Sequence, residues 1–158
     1  MPFTKFDRYV DRHARSFTER LQNLCRMPSV AARGTGMRAI AETVEQSMQR
    51  VGMGTRSFRI GTGYPIIYGE CGGGPKTFVV YGHYDVQPVG HLTEWSYGPF
   101  AATIQDGKLF ARGAANSKGD LVARLVRGLI CTRSGAQSSR TQPGAWSRRS
   151  RRSLRRKA

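Results

Sequence analysis

The chain has 158 residues, room for one domain with or without a tail, and 39% of them are hydrophobic, a share compatible with a buried core. No run approaches the roughly 18 to 20 apolar residues that span a bilayer, so no membrane partner is expected. Three cysteines, Cys25, Cys71 and Cys131, are odd in number and far apart, which argues against a disulfide framework or a zinc knuckle. The formal charge of +16 points toward nucleic acid until it is divided by position. Residues 131–158 hold nine basic residues and no acidic one, whereas residues 1–130 hold 17 basic and 10 acidic. More than half of the excess therefore belongs to the terminal run, and the remainder is basic but ordinary.

The N-terminal sequence MPFTKFDRYV lacks the basic-then-apolar order of a signal peptide, which predicts a cytoplasmic protein. Phe6, Tyr9, Val10, His13, Phe17, Leu21 and Leu24 recur at helical spacing and predict an amphipathic helix over residues 4–26, with His13 a structural member of its apolar face. Pro28 ends it, because proline has no amide proton and restrains the residue before it. A second helix is predicted from Met37, Ile40, Ala41, Val44, Met48 and Val51, capped by Thr35 and stopped by Gly52 and Gly54.

Short strand-like runs follow over residues 57–60 and 65–69, then the turn Cys71-Gly72-Gly73-Gly74. That turn lacks the spacing of a phosphate-binding loop and no helix follows it. Residues 76–81, KTFVVY, predict a strand buried inside a sheet. Trp95, Pro99 and Phe100 precede a hairpin turning at Asp106-Gly107, with residues 109–111 as its returning arm. Leu121, Val122, Leu125, Val126 and Leu129 predict a third helix. Helices alternating with strands predict an α/β fold, a partial α/β/α layered domain over residues 1–130 with a mostly buried mixed sheet. From Cys131 the pattern fails, and residues 131–158 are expected to be a disordered, arginine-rich tail. Its abrupt onset after a patterned helix is what a shifted reading frame or an artificial end would produce. A nucleic-acid arm is the functional alternative for this tail, though no specific nucleic-acid partner is expected.

The chemistry centres on His83 and Asp85, two residues apart just beyond the run 76–81. A carboxylate at that spacing can hold one ring nitrogen of the imidazole and raise the basicity of the other. Metal ligation and a structural hydrogen-bonded histidine are both open on these residues alone. His91 reads as an exposed loop residue, and Arg112 as a structural charge beside Asp85 or Asp106.

The runs YGHYDVQPVG, EWSYGPF and DGKLFARGAANSKGD together resemble the first half of the catalytic domain in the M20 family of zinc metallopeptidases, the cytosolic dipeptidase branch best of all. The likeness covers roughly residues 5–130. It implies hydrolysis of a dipeptide or N-acyl amino acid amide bond by water held between two zinc ions. It also implies His83 as a zinc ligand, Asp85 as the catalytic-site carboxylate on its other ring nitrogen, and position 116 as the ligand bridging both metals.

Asn116 stands there instead of the family's aspartate. A neutral amide offers one carbonyl acceptor and an NH₂ that repels a cation, so it suits a single metal weakly and a two-metal centre badly. The family's glutamate pair and later acidic and histidine ligands have no counterpart, because no Asp, Glu or His follows Asp120. A truncated, inactive metallopeptidase chain is therefore expected. The alternative is a non-catalytic fragment that forms a homo-oligomer or pairs with a full-length relative through an unfinished sheet.

Overall fold

The computed structural model describes residues 4–72 and 75–125. The expected boundary near residue 130 and the basic tail fall outside these residues, as do Val126 and Leu129 of the third helical stripe. Helix α1 runs Thr4–Arg26 and α2 runs Met37–Arg50. Strands β1, Gly54–Phe58, and β2, Ile66–Glu70, form one antiparallel pair in the register Gly54↔Glu70 to Phe58↔Ile66. Strands β3, Thr103–Gln105, and β4, Lys108–Phe110, form another. A kinked turn over Ala114–Lys118 leads into a third helix, α3, described over residues 119–125.

The three apolar stripes read from the sequence meet in one core. Leu24 of α1, Ile40 and Val44 of α2, and Leu121, Val122 and Leu125 of α3 are buried together with Val51, and Tyr9, Phe17, Leu21 and Met48 close around them. Burial of this kind, at about 25 cal/mol per Å² of apolar surface, is the main force holding the helices. His13 stays within α1, its Nδ1 2.8 Å from the carbonyl of Tyr9 and its ring stacked on Tyr9.

α1 ends at Arg26, two residues before Pro28, and the hairpin turns at Asp106-Gly107 as expected. Both turn residues have positive φ, 52° and 73°, the pair of values that matches a two-residue turn to the twist of its strands. The cap of α2 differs. Gly36, not Thr35, precedes the helix at φ 70°, and no side chain caps it. A methyl group at position 36 would lie 1.8 Å from the Pro28 carbonyl oxygen, so only glycine lets the chain pass there. Thr35 instead exchanges backbone hydrogen bonds with Val30.

The sheet also differs from expectation. The mixture of helices and strands is present, but among the described residues the strands form two small antiparallel pairs rather than one mostly buried mixed sheet. The run expected as a buried strand, residues 76–81, joins neither pair, and Phe78 is 90% and Tyr81 83% exposed. A strand is buried only when neighbours pair with it and layers cover it; among the described residues none does either.

Candidate functional site

Residues 83–86 are fixed to the exit of α1 by a short parallel bridge. The amide of Val86 donates to the carbonyl of Ser29 at 2.8 Å, and the hydroxyl of the fully buried Ser29 donates to the carbonyl of Tyr84 at 2.9 Å. The hydroxyl of Tyr84 in turn reaches the carbonyl of Pro65. Val86 is buried while His83 and Asp85 keep side chains 39% and 38% exposed, so the polar pair stands at the surface of a held segment.

The pair meets as the spacing predicts. His83 Nδ1 lies 3.1 Å from Asp85 Oδ1 and the same distance from the Asp85 carbonyl oxygen. His83 Nε2 lies 3.0 Å from Asn116 Oδ1, which joins two segments 33 residues apart in sequence. Oxygen atoms thus face both ring nitrogens. Two ring protons satisfy that arrangement, as does an Asn116 amide turned to present its NH₂ to Nε2.

Asn116 is carried by the turn Ala114–Lys118 and breaks from helical geometry at φ −126°, ψ 99°. Gly113 precedes the turn at φ 83°, where an added methyl group would lie 2.4 Å from a methyl of Val86. That close approach brings the turn against the His83 segment. Lys118 at the end of the turn is fully buried, its ammonium donating to the carbonyls of Leu24 at 2.9 Å and Met27 at 2.8 Å. Burial lowers its amine from 10.5 to about 8, against an opposing pull from the Cys25 thiol. Sequence reasoning did not single out Ser29 or Lys118 as part of this site. The available signal was spacing, since Lys118 precedes Leu121, Val122 and Leu125 on their own buried stripe.

Other residues stand apart from the cluster. His91 is exposed in its loop. Arg112 pairs with neither Asp85 nor Asp106; it donates to the Pro88 carbonyl at 3.0 Å and covers the Trp95 ring at 5.0 Å. Its Nε is buried with no hydrogen-bond partner among the described residues. Glu70 accepts the Tyr68 hydroxyl on β2. Beside Arg112, a cavity of about 380 Å³ is lined by Trp95, Tyr97, Leu109, Phe110 and Ala115.

The residues present do not fit a two-zinc centre. Zinc takes three or four protein donors at most sites. Here one imidazole and one neutral amide face each other, and the Asp85 carboxylate is engaged with the other ring nitrogen. Among the described residues no group of three or more His, Cys, Asp or Glu side chains comes together to hold a metal.

The fold is similar to part of human carnosine dipeptidase 1, with a TM-score of 0.70 at 28% identity, over 77% of this chain and 29% of that one. Residues 79–137 match the model of peptidase family M20/M25/M40. Among curated relatives, the chain is 30% identical over 137 residues to the Cys-Gly metallodipeptidase dug1 of Schizosaccharomyces pombe, 77% of this chain and 29% of that protein. It is also 47% identical over 57 residues to the succinyl-diaminopimelate desuccinylase of Beijerinckia indica, 36% of this chain and 15% of that protein. The chain thus spans less than a third of the length of either relative.

Proposed function

We propose that this chain carries the His83–Asp85 element of an M20-type metal-dependent amide hydrolase, and that the 158 residues alone neither turn over substrate nor bind zinc tightly. The observation that carries the reading is the carboxylate of Asp85 at 3.1 Å from Nδ1, which orients the ring so that Nε2 faces the turn bearing Asn116. The substrate class is a dipeptide or an N-acyl amino acid, the two kinds of amide that the names of its relatives describe. Asp85 holds the imidazole in one orientation, and Asn116 meets its far nitrogen. A base for activating water and a full ligand set are not among the described residues, so no turnover is assigned to this chain by itself. A cytoplasmic setting belongs to the same proposal, since among the described residues Cys25 and Cys71 are unpaired with each other, as suits a reducing compartment. Among the described residues no helix is long and apolar enough to cross a membrane.

The test is a zinc titration of the chelator-washed chain together with assays on a dipeptide and an N-succinyl amino acid. Binding weaker than micromolar and no hydrolysis are expected. Stoichiometric, tight zinc or measurable turnover by the purified chain would refute the inactive reading.

A second reading, association through residues 78–81, is favoured by the exposure of Phe78, Val79, Val80 and Tyr81 on a segment that joins neither strand pair. The net charge of +16 opposes a meeting of two copies, so a relative of lower charge is the better partner. Sedimentation of the chain alone and mixed with an M20 dipeptidase distinguishes them; a single monomeric species in both removes this reading.

A further inference from the structure

Both halves of the His83 cluster hang from one short stretch, residues 24–30, where α1 ends. One half is fixed through Ser29, whose backbone and hydroxyl hold Val86 and Tyr84. The other is fixed through Lys118. Wholly buried lysines are rare, because an ammonium leaves water only where acceptors replace it. Here the replacements are the carbonyls of Leu24 and Met27, at the end of a helix where carbonyls outnumber their partners and the dipole is negative. The amide of Lys118 also donates to the Gly113 carbonyl at 3.0 Å, so the lysine closes the turn it ends. Between those two points the chain departs from helical geometry only at Asn116.

An apolar residue of equal length would fill the same channel and leave both carbonyls without this donor. The lysine is therefore doing something that packing does not require. We propose that Lys118 is a positioning residue: its two bonds to the α1 exit set the turn 114–118 so that the Asn116 side chain meets Nε2 of His83. The proposal rests on His83 being the functional imidazole. Its readout is the ring itself, so it stays decidable if the chain proves to have no hydrolase partner or substrate.

The experiment uses the full 158-residue chain with ¹⁵N-labelled histidine at one fixed pH. Long-range correlation from the carbon-bound ring protons reports the state of each ring nitrogen in His13, His83 and His91. Loss of a signal set in His83→Gln identifies His83, and Asn116→Ala supplies the pattern of the ring without its partner. In Lys118→Met, folded by far-UV circular dichroism, the His83 nitrogens are expected to shift to the Asn116→Ala pattern. His13, bonded to Tyr9 within α1, should not move. Lys118→Gln, whose amide is one atom shorter than the ammonium arm, should behave alike and stands in if the methionine variant does not fold. A folded variant of either kind with the wild-type His83 pattern overturns the proposal. So does an Asn116→Ala pattern identical to wild type. Failure of both lysine variants to fold assigns Lys118 to folding alone and overturns it as well.

Discussion

The backbone amide of Val86 donates to the carbonyl of Ser29 across 57 residues of sequence, at 2.8 Å, and this single contact aligns the His83 segment with the end of α1. The Ser29 hydroxyl reinforces it by donating to Tyr84, with no part of the serine exposed. Ser29→Ala leaves the Tyr84 carbonyl without this donor. A loss of about 1–3 kcal/mol is expected, the usual cost of an unmatched buried polar group, read from the midpoint of urea unfolding. No change in midpoint would show that water replaces the hydroxyl freely.

Asn116→Asp replaces a neutral amide by a carboxylate that stands 3.0 Å from Nε2. An anionic oxygen attracts a divalent cation where the amide does not, so zinc affinity is expected to rise at least tenfold over the wild-type chain. His83→Ala in the same background should remove the gain. Equal affinity of Asn116→Asp and wild type, measured by competition with a chelator, would mean that position 116 takes no part in holding metal.

Stability should depend on pH in a narrow alkaline window. The buried Lys118 amine falls from 10.5 to about 8, so between those values the unfolded chain binds the proton more firmly than the folded one. Stability therefore rises with pH from about 8. Cys25 acts in the other direction: burial raises its thiol above 9.0, the folded chain keeps that proton, and stability falls once the pH passes 9. A rise in the unfolding midpoint between pH 8 and 9 is expected in wild type, and a flat profile in Lys118→Met. A wild-type midpoint that falls throughout would contradict the assignment.

Ile40 is fully buried where the three helices meet. Ile40→Ala should cost about 2–5 kcal/mol, the transfer of the lost atoms plus the cavity they leave. Denaturant unfolding monitored at 222 nm would measure it. A cost under about 1 kcal/mol would mean that α1, α2 and α3 close over the gap.

The helices were legible because their apolar residues recur at a period that only a helix satisfies, and the hairpin because Asp106-Gly107 accepts positive φ at both positions. His83 and Asp85 were legible for a local reason, since two residues of separation fix their reach. What was hidden depends on contacts between distant parts of the chain. Thr35 reads as the cap of α2, yet the Pro28 carbonyl decides that Gly36 must occupy it. Residues 76–81 have the composition of a buried strand, but composition carries no record of whether partners are present to pair with it. Lys118 shares the spacing of the buried stripe Leu121, Val122 and Leu125, but only the path of α1 shows that two carbonyls wait for its ammonium.

Four adjacent apolar side chains at residues 78–81 stand in water beside a site that is otherwise well held. For a living cell the consequence is one of custody. Such a patch is what holdase chaperones grip and what proteases sample, so the lifetime of the chain would be governed by its bare quartet more than by its core. Abundance, set by that handle, would then limit whatever His83 contributes.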